Sequence, residues 1–127
     1  MIAKPKRIHP QIEIMKDHLR VIGVDWVEEY RFHPTRLWRF DLAIPSLKIG
    51  IEYQGHGSTG KGGHIGRHAS ITGMTGDCEK YNEAQRLGWA VLNFTVLFFD
   101  ENNRAKHKLT LPLDTIVSMI EERRIEP

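Results

Sequence analysis

The segment RFDLAIPSLKIGIEYQ, positions 39–54, decides how the chain is read. Two runs of strand-forming residues flank Pro45 and Ser46, both turn formers, so the segment reads as a β-hairpin. In the first run Trp38, Phe40 and Leu42 alternate with Arg39, Asp41 and Ala43. In the second, Leu47, Ile49, Ile51 and Tyr53 alternate with Lys48, Gly50, Glu52 and Gln54. A period of two gives each strand one apolar face. A turn centred between Ser46 and Leu47 sets Asp41 opposite Glu52 and Arg39 opposite Gln54. Directly opposed side chains hold their Cβ atoms about 4.5–5.5 Å apart, where two like charges destabilise unless something offsets them. A hard divalent cation does so: Mg2+ commonly takes one or two carboxylates together with phosphate oxygens and water. The same pattern also fits a solvated strand face on which Arg39 and Lys48 neutralise two ordinary acids.

Working outward, Ile12, Met15, Leu19 and Ile22 recur at the spacing of one helical face between Pro10 and Ile22, and Gly23 stands where such a helix stops. Strands are expected over 26–32, 37–44 and 47–53. Residues 55–76 hold eight of the eleven glycines and three of the seven histidines with few large apolar side chains, which predicts a long loop. Thr75 or Asp77 then caps a helix running through Cys78, Tyr81 and Leu87 to Gly88. A strand over 89–95, a polar loop over 100–110 and a helix capped by Asp114, with Ile116, Val117 and Ile120 as its apolar residues, complete the chain. The order is α-β-β-β-α-β-α, without a repeat or a dividing linker, and 127 residues suit a single domain.

With 40% hydrophobic and 27% charged residues the composition is that of a globular chain rather than a disordered or fibrous one. No stretch approaches the roughly 18 apolar residues of a membrane span. The basic start MIAKPKRIHPQ lacks the apolar segment of a secretory signal, and the lone Cys78 offers no disulfide, so a cytoplasmic setting is expected. A net charge of +2 permits a nucleic-acid partner without requiring one.

Asp41 in RFDLA, then Glu52 and Gln54 in IGIEYQG, within an α-β-β-β-α-β order, resemble the PD-(D/E)xK nuclease superfamily. The longer text YRFHPTRLWRFDLAIPSLKIGIEYQG, followed by GRH and DCEKYNEAQRLGWAVLNFT, is similar to small nucleases encoded by phages and prophages. It also resembles the very-short-patch-repair and Holliday-junction-resolving branches. The resemblance spans positions 13–95 and rests on the whole order of elements, since D…ExQ alone is a weak signal.

It implies an α/β, restriction-endonuclease-like core, a mixed four-stranded sheet flanked by helices, with an added C-terminal helix. The implied activity is Mg2+-dependent hydrolysis of DNA phosphodiesters in DNA processing, recombination or repair, with Mn2+ able to substitute. Asp41 and Glu52 are then metal ligands, the Tyr53 carbonyl a third, and Glu13 the extra helix acid that many members carry. Gln54 stands where the family pattern usually has Lys; it can hydrogen-bond a water but brings no charge. Lys80, on the following helix, could bring the missing cation. DNA is the implied partner, no membrane is, a homodimer is left open, and a phage-encoded protein would work in the host cytoplasm. The alternative implied by Gln54 is a non-catalytic nucleic-acid-binding module on the same fold.

The run from Gly55 to Gly62 matches a phosphate-binding G-x-x-x-x-G-K-[ST] loop except at its last position, where the missing hydroxyl would be the Mg2+ ligand. Gly62 and Gly63 are also poor residues to open the helix such a loop needs. The glycine-rich stretch makes better sense as an arm against a DNA backbone, with Lys61, Arg67 and His68 facing phosphates. His56, His64, His68 and Cys78 are zinc-compatible ligand types at no standard spacing, and Cys78 reads as a core residue. Trp26, Trp38 and Trp89 also read as core.

Overall fold

The computed structural model describes residues 9–55 and 70–125. Helix α1 (Pro10–Ile22) has the boundaries expected. Pro10 sits in the first turn, where its missing N–H leaves nothing unsatisfied, and Gly23 ends the helix at φ +83° with its N–H on the Leu19 carbonyl at 3.0 Å. Strands β1 (Val27–Arg31), β2 (Arg39–Ile44), β3 (Ile49–Tyr53) and β4 (Ala90–Phe94) form a mixed four-stranded sheet in that order. The first three are antiparallel neighbours, and β4 lies parallel to β3 after a crossover through α2 (Ile71–Arg86). Helices α3 (Glu101–His107) and α4 (Pro112–Ile125) follow. No helix among the described residues is long and apolar enough to cross a membrane.

The hairpin carries the expected register. A single 3-10 turn, Pro45–Leu47, and a left-handed Lys48 at φ +51° reverse the chain, and Leu42, Ala43 and Ile44 face Ile51, Gly50 and Ile49. The regular pairing ends at Leu42 and Ile51, and beyond it Asp41 and Glu52 meet through a hydrogen bond from the Asp41 N–H to the Glu52 carboxylate.

The face assignment needs one correction. Leu42 and Ile44 pack with Met15, Leu19, Ile49, Ile51, Phe94, Ile116 and Ile120 under α1 and α4. Phe40 instead packs with Phe32, Ala43, Ala84 and Trp89 beneath α2. Strict alternation therefore breaks between Phe40 and Leu42. On β1 the facing stretch is irregular as well: Glu29 takes φ +53° and pairing passes from Glu28–Leu42 to Tyr30–Phe40. The strand bends at Asp41, and both faces of β2 are buried where one polar face was expected.

Gly50 is what makes room for Phe40 on the α2 side. A Cβ built there lies 2.5–2.7 Å from three atoms of the Phe40 ring, which is wedged between Phe32 (stacked, centroids 4.2 Å apart) and Trp89 (5.2 Å) and has no room to retreat. We expect Gly50→Ala to destabilise the protein by about 1–3 kcal/mol, the usual cost of overpacking, measurable by urea denaturation.

Three helix boundaries differ from expectation. Helix α2 begins at Ile71, not after Thr75: Ser70 is its cap, accepting the Gly73 N–H at 3.0 Å, so the second part of the expected 55–76 loop is helical. Residues 100–110 are not all loop. Asp100 caps α3 by accepting the Asn103 N–H at 2.9 Å, and Arg104, Lys106 and His107 complement the end of its dipole. Helix α4 opens at Pro112, placing Asp114 in its first turn rather than at its cap.

Candidate active site

The bend in β2 and the register of the hairpin place Asp41 and Glu52 together in a cleft of about 210 Å³ on the α2 side of the sheet. The strands contribute Asp41, Glu52, Tyr53 and Gln54; α2 contributes Asp77, Lys80 and Tyr81, whose spacing of three and four residues puts them on one helical face.

Backbone amides order both carboxylates. Asp41 Oδ2 accepts the Tyr53 N–H at 2.7 Å, and Glu52 Oε2 accepts the Asp41 N–H at 3.2 Å. Lys80 Nζ donates to Glu52 Oε1, so the helix does deliver a cation to the acids, as the sequence suggested. Glu52 is only 6% exposed, and burial pushes its carboxyl up to about 7 although Lys80 and the Asp41 N–H pull it down; the neighbouring Asp41 charge adds to the rise. An ionised Glu52 is thus costly here, and whatever positive charge approaches it is favoured.

Gln54 takes no ionic role. Its Nε2 donates to Tyr81 Oη at 2.8 Å and to Asn93 Oδ1 at 3.0 Å, and its backbone N–H to the Phe94 carbonyl at 2.7 Å, which ties the end of β3 to β4 and α2. Burial and the nearby Glu52 push the Tyr81 phenol up to about 12, so it keeps its proton. The Tyr53 carbonyl accepts the Gly55 N–H at 3.1 Å and retains a second lone pair.

Glu13 is not brought to the cleft. It is exposed and ion-paired at 2.9 Å with Lys16, which also holds Glu28 at 2.8 Å, and α1 packs on the opposite face of the sheet. Lys61, Arg67 and His68, together with His56 and His64, lie outside the described residues. Cys78 is exposed on α2 rather than part of the core, because the helix buries only Ala84.

Asp77 and Tyr81 are cleft residues that sequence reasoning missed, and Asn93 is a missed partner of Gln54. Asp77 read as a candidate helix cap and Tyr81 only as a position along the helix; a helical-wheel count from Lys80 would have put Asp77, Lys80 and Tyr81 on one face. Trp38 packs half-buried against the Phe32, Phe40 and Trp89 cluster, in keeping with a core reading, and its remaining surface walls a groove of about 350 Å³ that is also lined by Asp77, Lys80, Ser70, Gly73 and Gly76. The Arg36 guanidinium covers its ring at 4.0 Å. That approach is fixed by His33, whose Nδ1 accepts the Thr35 and Arg36 N–H groups at 3.2 and 2.9 Å. With Nδ1 an acceptor, Nε2 carries the hydrogen and donates to Glu83 Oε1 at 2.9 Å on α2. Arg86 first, and then His33, hold the Glu83 carboxyl down to about 2.

Among the described residues no three His, Cys, Asp or Glu side chains converge as a metal-binding group. The donor set is two ordered carboxylates and one backbone carbonyl. All are hard oxygens, and one acid is buried where its charge needs compensation, so the set fits Mg2+, which completes its shell with water and substrate oxygens. It does not suit zinc, whose structural sites take four protein ligands, mostly Cys and His. Comparison with protein-family models, with curated proteins and with solved structures found no match to this chain.

Proposed function

We propose that this protein is a metal-dependent endonuclease that hydrolyses DNA phosphodiesters on a restriction-endonuclease-like core. The observation that carries the proposal is the meeting of Asp41 and Glu52, from adjacent strands, with Lys80, from the crossover helix, in one cleft. Asp41, Glu52 and the Tyr53 carbonyl would hold the cation. When bound, Mg2+ or Mn2+ supplies an activated water and stabilises the charge that develops on the phosphodiester.

The chain's own residues do the remaining work. Tyr53 N–H and Asp41 N–H hold the two carboxylates in place, so little reorganisation accompanies binding. Lys80 supplies the fixed positive charge that Gln54 cannot, directed at the acids and within reach of a phosphate laid across them. Gln54 braces Tyr81 in the cleft wall and is itself held by Asn93. The alternative of a non-catalytic nucleic-acid-binding module rests on the absence of Lys at position 54, and Lys80 in the cleft weakens that ground.

The metal assignment is tested by titrating Mn2+ into the purified protein and following free Mn2+ by electron paramagnetic resonance. Wild type is expected to bind at one site, and Asp41→Asn to weaken binding by about tenfold or more. Equal binding by the two proteins would remove the metal from this cleft.

A further inference from the structure

Donor and acceptor counting in the cleft assigns a role to Tyr81. An amide nitrogen carries two hydrogens and no available lone pair. Gln54 Nε2 uses both, one toward Tyr81 Oη at 2.8 Å and one toward Asn93 Oδ1 at 3.0 Å. In the first of these bonds Tyr81 is therefore the acceptor, and its own hydroxyl hydrogen must point elsewhere. Among the described residues neither Tyr81 nor Gln54 makes a further side-chain hydrogen bond. The phenol is fixed twice over, by its place on the Lys80 side of α2 and by the Gln54 amide, yet it faces the cleft that holds Asp41 and Glu52. A fixed hydroxyl whose hydrogen has no partner among the described residues, beside a lysine ammonium, is a pair of donors suited to an anionic tetrahedral group.

We infer that Tyr81 is a substrate-contacting residue that donates its hydroxyl hydrogen to a non-bridging oxygen of the phosphodiester, next to the oxygen that Lys80 approaches. The inference rests on the nuclease reading and adds to it the atom that orients the phosphate. It also explains Gln54: a lysine at that position would put a second cation beside Lys80, whereas the neutral amide locks the phenol without repelling Lys80.

The test compares Tyr81→Phe with wild type, each in the Asp41→Asn background so that DNA stays intact. The probes are an oligonucleotide duplex that wild type cuts and the same duplex carrying an uncharged methylphosphonate at the mapped scissile position. Tyr81→Phe is expected to stay folded, with a small drop in melting temperature from the lost Gln54 bond, and to lose about tenfold in affinity for the phosphodiester duplex, the scale of one hydrogen bond to a charged acceptor. On the methylphosphonate duplex the loss should fall below about twofold, because the charged acceptor is gone. A purely structural tyrosine would weaken both duplexes equally. Equal loss, or no loss, overturns the inference while leaving the nuclease reading intact, provided wild type cuts DNA. If wild type neither binds nor cuts DNA, the nuclease reading fails and the inference with it.

Discussion

Asp41→Asn and Glu52→Gln are each expected to lower the rate of DNA cleavage by about 10²–10³-fold or more, the scale on which preorganised charge acts in a water-poor site. Each substitution keeps the shape of the side chain and the acceptor that its backbone N–H partner needs, at Tyr53 for Asp41 and at Asp41 for Glu52. Folding should therefore survive, which near-ultraviolet circular dichroism checks. The two variants differ in one respect. Asn at 41 leaves the Glu52–Lys80 contact standing, whereas Gln at 52 strips Lys80 of its charged partner. Glu52→Gln should accordingly remove the Glu52 contribution to the pH dependence of stability, whereas Asp41→Asn, which takes away a charge that raises the Glu52 carboxyl, should only lessen it. Cleavage at the wild-type rate by either variant would remove that acid from the site.

Lys80→Met is expected to slow cleavage by about 10²-fold, since it removes a cation aimed at the reacting phosphate. Methionine keeps the stem that packs near the Phe40 and Tyr81 rings, where the ammonium lies 5.8 and 5.7 Å from the two centroids. The same variant has a signature in stability. Glu52 titrates near 4.5 when unfolded and near 7 when folded, so across that window the folded state holds a proton that the unfolded state has lost. Stability is then full below about pH 4.5 and falls by about 3 kcal/mol as pH rises through 7. Lys80 opposes the rise, so Lys80→Met should extend the fall to higher pH. Urea denaturation between pH 4 and 9 measures it. A slower enzyme with an unchanged pH profile would mean that Lys80 acts without contacting Glu52.

What the sequence revealed and what it hid divide along physical lines. The α1 face, the hairpin register and the closeness of Asp41 to Glu52 were legible because each depends on local periodicity and turn chemistry. The first turns of α2 were hidden because Gly73 and Gly76 are poor helix formers; Ser70 capping holds them helical, and their missing side chains open the groove beside Trp38. Helix α3 buries none of its residues and so shows no apolar period. Its Asp100 cap and basic last turn were the signals available. The placement of Phe40 under α2 depends on the bend opposite Glu29 and on the space at Gly50, both products of tertiary packing. Tyr81 went unassigned because a tyrosine along a helix carries no local signal of a site; its place in the cleft shows in its bond to Gln54, 27 positions away.

The most direct measurement is incubation of the purified wild-type protein with linear duplex, single-stranded and four-way-junction DNA, with Mg2+ or Mn2+ and with EDTA. The account predicts that at least one of these DNAs is cut with either metal and none with EDTA. Intact DNA in every metal-containing reaction, or cutting that continues in EDTA, would contradict it.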